Sequence, residues 1–312
     1  MHIFSHPACL KHTPPPDPSF APKRLKVVLD ALRATRSDSL CFREAPPLAP
    51  EDLELAHTPA YVADVLRPIM NGDQTVFAPD AIAVSGTGEA ALHAAGAVMT
   101  ATGEVMAGRI GKAFCVVSPG GHHAEADAAM GFCFFNHIAL AAIAAQKKMG
   151  AGRVAVVDFD AHHGNGTQSL FWNFENRLLI SIHEETPLSG FTGETGAWNN
   201  ILNLPLPKES GSEALREAFT EKVVPKLQAF KPDILFISAG FDMHSDDPLA
   251  SLNMDLSDYR WLGEQLRGLS DTLCEGRAVA VLEGGYDLAT LGECAAEFVL
   301  ALAGAEPEAC PV

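Results

Sequence analysis

VAVVDFDAHHGNG, residues 154–166, changes character at its centre. Val154 to Val157 are small or β-branched and apolar, with no polar face, as in a strand covered on both sides. From Asp158 onward the string turns to Asp, His, Gly and Asn. The same break recurs elsewhere: AFCVV (113–117) runs into SPGGHH (118–123), LLISI (178–182) into HEE (183–185), ILFIS (234–238) into AGFD (239–242), and AVAVL (278–282) into EGGY (283–286). Amphipathic stretches near 136–149, 212–230, 257–270 and 287–303 read as helices. Such alternation marks βαβ units and predicts an α/β chain with a mostly parallel central sheet and helices on both faces. In these sheets ligands bind outside the carboxyl ends of the strands. Nearly every His-Asp-Gly cluster follows a strand, so one site built from four or five loops is expected.

The first 60 residues are proline-rich (HTPPPDPSFAP, then EAPPLAP) and read as wrapping segments around one helix, Lys23 to Thr35. Small residues from Ser85 to Gly108 predict a long, closely packed helix. There is no internal repeat and no boundary, so residues 1–312 are expected to form one domain. Hydrophobic residues make up 47% and charged residues 20%, which excludes a disordered chain. No apolar run approaches the ~20 residues that cross a bilayer, and the start, MHIFSHPACLKHTPPP, lacks the basic-then-apolar order of a signal peptide. A soluble cytoplasmic protein is expected. Seven scattered cysteines with no C-x-x-C pair read as reduced, structural thiols. The net charge of −17 opposes direct nucleic-acid binding and favours cationic partners.

The loops carry metal and proton chemistry. Asp160 and His162 stand two apart, so on an extended strand end both reach the same side. Asp242, ending another strand, supplies a third ligand, and one His with two carboxylates leaves positions open for water and substrate. Adjacent His122 and His123 point in different directions and suit proton carriers better than a shared ligand set. Each needs an orienting partner, for which Asp158 and Asn165 have the right chemistry. Tyr286, after Gly284-Gly285, is placed to donate to a developing oxyanion, and Phe132 to wall an apolar channel.

The strings HHAEADAAMGFCFFNH (122–137), VDFDAHHGNGTQ (157–168), SAGFDMHSDDPLA (238–250) and EGGYDL (283–288) resemble the zinc-dependent histone deacetylases, most of all the class II branch and the bacterial deacetylase-like amidohydrolases. The similarity runs in order from about Ser85 to the C-terminus, with a weaker stretch at AHTPAYV (56–62). It implies an arginase/deacetylase-like fold and hydrolysis of an N-acyl amide, above all acyl-lysine in a peptide or protein. It further implies catalytic Zn2+ on Asp160, His162 and Asp242, with His122 and His123 as the tandem histidines partnered by Asp158 and Asn165. Tyr286 then polarises the scissile carbonyl; His123 is expected to carry the proton and His122 to tune it. Gly131 and Phe132 match the rim of the acyl-lysine tunnel. Structural K+ is implied near the Asp158–His162 loop, with Ser181 and Ile182 where further ligands fall.

Departures bear on specificity. Where class II relatives have Arg-Pro-Pro-Gly-His-His, this chain has Ser118-Pro119-Gly120-Gly121-His122-His123. The second tunnel aromatic falls at Phe191, or the position is Leu188, depending on a gap. Leu249 stands where one branch of acetylpolyamine deacetylases carries an acidic gatekeeper, which favours an acyl-lysine-like substrate. Asp80 aligns loosely with an acidic rim residue. An acetylpolyamine or other small N-acetyl amine amidohydrolase is the alternative with the same machinery; a catalytically feeble acyl-lysine-binding protein is the alternative of another class. A two-manganese ureohydrolase would want Asp at 164, which is Gly164, and a carboxylate pair where Asp242-Met243-His244 stands. The oligomeric state, a homo-oligomer included, is left open.

Overall fold

A computed structural model describes residues 1–17, 20–70, 74–185 and 193–305. Its strands are, in chain order, β1 (His2–Ser5), β2 (Cys41–Glu44), β3 (Thr75–Ala78), β4 (Ala81–Ala83), β5 (Lys112–Cys115), β6 (Val154–Asp158), β7 (Arg177–Glu184), β8 (Ile201–Leu206), β9 (Ile234–Ala239) and β10 (Ala278–Leu282). β3 and β4 form a separate antiparallel hairpin; the other eight make one sheet in the order β2-β1-β5-β10-β9-β6-β7-β8. Every pairing in that sheet is parallel.

The five strands expected from the sequence are the five central, contiguous ones. All residues of β6, β7, β9 and β10 are buried. Successive side chains point to opposite faces, so both faces of the sheet centre are covered. Besides α2 (Pro59–Met70), α5 (Asn165–Phe171), α6 (Ser212–Ala218) and α7 (Val224–Phe230), two groups of helices cover the sheet. In one, α3 (Thr87–Met106) packs with α4 (His137–Lys148), α3 lying on β5 and β10 and α4 on β6 and β9. In the other, α1 (Phe20–Ala34), α8 (Leu256–Leu273) and α9 (Leu291–Ala303) pack together, and α9 reaches β5. α3 is the expected small-residue helix, buried along most of its length. α8 starts at a capping box in which Asp255 accepts from Ser257 N and Asp258 accepts from Asp255 N. The helix expected over 212–230 is continuous but contains a π-helical turn, Phe219–Val223.

The first 60 residues do more than wrap: they contribute β1 and β2 to one edge of the sheet, beyond β5. β8, on the other edge, also went unread. All four residues of β2 are exposed, and β8 contains Pro205, so neither has the uniform apolar run of a central strand.

The strand order fixes where a site can form. From β6 the chain moves outward to β7 and β8, then returns to β9 on the other side of β6 and goes on to β10. The order therefore reverses between β6 and β9, and the crevice at such a switch point is where open α/β sheets bind ligands. Among the described residues no helix is long and apolar enough to cross a membrane. Six cysteines are free, all buried except Cys41; Cys310 lies outside the described residues.

Candidate active site

Asp160 and His162 follow β6, and Asp242 follows β9, so the three straddle the switch point. Their ligand atoms all lie within 4.8 Å of one another. His162 Nδ1 stands 3.1 Å from Asp160 Oδ1 and 2.9 Å from Asp242 Oδ2. Backbone amides aim the carboxylates: His162 N and Gly284 N donate to the two oxygens of Asp160, and Ala161 N donates to Asp242 Oδ1. Both carboxylates are fully buried. Burial, and then the charge of Asp160, push the Asp242 carboxyl up to about 7. Two buried acids that cannot both ionise cheaply, with an imidazole nitrogen between them, call for a cation. The residues therefore fit a metal ion, and they are the described His, Cys, Asp and Glu group that does so.

Gly284 explains part of this closeness. A Cβ there would meet Asp242 Oδ2 at 2.3 Å and Asp160 Oδ2 at 2.5 Å. Only a glycine lets the chain after β10 pass against both carboxylates.

His122 and His123 stack at 4.0 Å between ring centroids, tilted by 43°. Their Nδ1 atoms face separate partners, Asp158 Oδ2 at 2.9 Å and Asn165 Oδ1 at 2.7 Å. His122 Nε2 lies 3.9 Å from Asp160 Oδ1. Burial lowers the pKa of His122, but the carboxylates of Asp158, Asp160 and Glu283 outweigh it and carry it to about 10. For His123 burial dominates, helped by the charge of His122, and the pKa falls to about 3. One imidazole is thus held charged and its neighbour neutral.

Phe132 and Leu249, both about half exposed, border a cavity of about 440 Å³ with His123, His162 and Tyr286 on its wall. Phe132 has φ +62°, a left-handed conformation that L-residues adopt at a cost. It is held there by donation from Phe132 N to Asp80 O at 3.1 Å and by the Met130–Cys133 bridge. Gly131, at φ +54°, lies against the His123 ring, where a Cβ would meet Cδ2 at 2.1 Å. Tyr286 packs beside Phe132 and His162 at 6.2 and 6.4 Å between centroids. Burial keeps its phenol protonated, well above the usual pKa. Asp158, Asn165, Gly131, Phe132 and Leu249 are thus all brought to one place with the metal group. Phe191 and Leu188 lie outside the described residues.

Sequence reasoning missed the supports. Arg24, on α1, donates from Nε to Gly285 O at 2.5 Å and from Nη2 to Glu283 O at 2.6 Å, and its guanidinium lies 4.9 Å from the Tyr286 ring centre. Asp247 Oδ2 accepts from Tyr286 N at 2.6 Å. Glu283, buried after β10, accepts from Gly121 N and from Ser238 Oγ. Glu283 opens the EGGY string marked at a strand end, and Asp247 lies in the SAGFDMHSDDPLA string that carries the family resemblance; Arg24 gave no signal, because α1 is remote in sequence and amphipathic like any surface helix.

Fold and site together define an amidohydrolase of the arginase/deacetylase type. The chain belongs to the histone deacetylase family: the model described as "Histone deacetylase domain" matches residues 18–302. It is 34% identical over 305 residues to a histone deacetylase-like amidohydrolase of Pseudomonas aeruginosa, covering 96% of this chain and 78% of that one. It is 35% identical to chloroplastic histone deacetylase 10 of Oryza sativa, over 90% of this chain and 69% of the relative. The HDA15 HD domain superposes with a TM-score of 0.88 at 29% identity, over 97% of this chain and 91% of that one. An acetylpolyamine aminohydrolase from Burkholderia pseudomallei does so with 0.86 at 28% identity, over 96% and 98%. The protein is a deacetylase or amidohydrolase enzyme.

Proposed function

We propose that the protein is a zinc-dependent amidohydrolase that deacylates acyl-lysine side chains, working in the cytoplasm. The observation that carries this reading is that the buried Asp160–His162–Asp242 group presents His162, beside His123 and Tyr286, to one cavity with Phe132 and Leu249 on its rim. One nitrogen and two oxygen ligands suit zinc, which the family generally uses. When bound there, zinc supplies Lewis-acid chemistry, polarising the amide carbonyl and lowering the pKa of water towards ~7.

The chain's own groups do the rest. Phe132 and Leu249 hold the acyl-lysine stem and keep bulk water away from the amide. His123, held neutral, accepts the proton of the attacking water on Nε2 while Nδ1–H donates to Asn165 Oδ1. Water oxygen bonds to the carbonyl carbon, the C–N bond breaks, and His123 returns the proton to the departing amine. His122, charged and tied to Asp158, stabilises negative charge beside it. Tyr286 O–H donates to the oxyanion; losing one such donor typically costs about 10²–10³ in turnover. Structural potassium beside the Asp158–His162 loop completes the reading, since Asp158 and Ser181 are register partners on β6 and β7.

A second reading, a small acetylated amine such as an acetylated polyamine, is favoured by the acidic groups Asp80, Glu125 and Glu184 on the same cavity, which suit a cationic tail. The test is deacylation of an acetyl-lysine peptide beside acetylated spermidine, with and without a zinc chelator. Chelator-sensitive peptide turnover, nearly abolished in Tyr286→Phe and His123→Ala, is expected. Turnover of spermidine alone would move the substrate to the small-amine class, and near-normal rates in either variant would overturn the roles.

A further inference from the structure

The partner of His123 is a neutral amide, and an amide can face an imidazole with either end. With its oxygen forward, Asn165 selects the tautomer protonated on Nδ1 and leaves Nε2 free as a base. With its NH2 forward it would select the opposite tautomer and put the proton on Nε2, where no base is then left. Nothing in Asn165 itself chooses between the two.

We infer that Glu125 makes the choice: it is a positioning residue that locks the Asn165 amide and, through it, the tautomer of His123. Asn165 Nδ2 donates to Glu125 Oε1 at 3.0 Å and to the main-chain oxygen of His123 at 3.2 Å, with Met130 Sδ at 3.5 Å. Reversing the amide would set its oxygen against a carboxylate and a carbonyl, both of which can only accept. Glu125 forms no ion pair among the described residues, so its charge is not spent on a cation. Its backbone is fixed as well: Glu125 N donates to Ala128 O at 2.9 Å, and His57 Nδ1–H donates to Glu125 O at 2.8 Å. The AHTPAYV stretch, to which no role fell above, thus serves to seat this loop. His57 Nε2 in turn accepts from Asn136 N at 3.0 Å, which fixes its own tautomer.

The inference rests on His123 acting as the base, and its test separates the two. Zinc-loaded Glu125→Ala and Glu125→Gln are compared with the parent for kcat, KM and the 15N shifts of the His123 imidazole. The parent should show protonated Nδ1 and bare Nε2. Glu125→Ala should show mixed tautomers and a kcat lowered about 10-fold, part of the 10²–10⁴ that a placed acid–base group contributes, with KM little changed. Glu125→Gln, which can still offer an oxygen to Asn165, should recover most of that loss. A parent-like tautomer and kcat in Glu125→Ala would overturn the inference. So would a Glu125→Gln loss as deep as that of Glu125→Ala with the tautomer unmoved, because the carboxylate would then act by charge alone. If His123→Ala keeps its kcat, the base assignment falls, while the tautomer shift still decides whether Glu125 holds Asn165.

Discussion

Replacing Gly284 by alanine tests the packing of the metal group without removing a ligand. The new Cβ would stand 2.3 Å from Asp242 Oδ2 and 2.5 Å from Asp160 Oδ2. Even a tight contact of about 3.0 Å between non-bonded carbon and oxygen then requires movements of about 0.7 and 0.5 Å. Metal–ligand distances tolerate only about ±0.2 Å. The carboxylates are buried and each is held by a backbone amide, so they have nowhere to relax without losing a hydrogen bond. Zinc affinity should fall at least as far as in typical losses of supporting contacts around a metal, about 10- to 100-fold. Overpacking should also lower stability by about 1–3 kcal/mol. The assay is zinc competition with a coloured chelator, paired with chemical denaturation of the metal-free protein. Gly268→Ala is the control, since a Cβ there, inside α8, meets nothing within 4 Å. Unchanged zinc affinity in Gly284→Ala would refute the idea that this glycine sets the carboxylate geometry.

The control carries its own expectation: Gly268→Ala should raise stability by about 0.5–1 kcal/mol through helix propensity, read as a higher denaturant midpoint. Arg24→Ala should lower kcat about 10-fold or more while KM moves less, because it loosens the turn that carries Tyr286; equal effects on both constants would point to a binding role. Acid should destabilise the fold through His12, His57 and His137, whose pKa values burial lowers to about 4. Between about 4 and 6.5 the unfolded chain binds more protons than the folded one, so stability rises with pH and is lost as pH falls below about 6.5. Each histidine should contribute a loss of about 2 kcal/mol between pH 8 and pH 5. Denaturation of His57→Gln at both pH values should show a smaller difference than the parent by that amount, and equal differences would count against the assignment.

What was legible in the sequence follows from burial. The central strands are covered on both faces, so their apolar runs stand out, and the polar strings after them mark the functional edge. Asp160, His162, Asp242, His122, His123 and Tyr286 were therefore visible as strand-end residues. β2 and β8 were not, because an edge strand needs no unbroken apolar run, and β1, one place in from the edge, is only four residues long with two of them fully buried. Arg24 was invisible for a different reason: it acts on carbonyls about 260 residues away, and a distance of that kind leaves no local pattern. Glu125 shows the limit most sharply. In HHAEAD it reads as one more solvated acid, and only the position of the Asn165 amide gives it a task.

The placement of β10 bears on how the enzyme comes into being. It lies between β5 and β9, and it alone joins the β2-β1-β5 group to the β9-β6-β7-β8 group. A growing chain that has delivered everything before Ala278 therefore holds two partial sheets with unpaired edges facing each other. Contacts of such high sequence separation form slowly, and exposed strand edges invite pairing with other chains. The strand that closes this gap also leads into Glu283, Gly284 and Tyr286. Closure of the sheet and completion of the catalytic group therefore depend on the same segment, so a nascent or truncated chain lacking it should be both aggregation-prone and inactive.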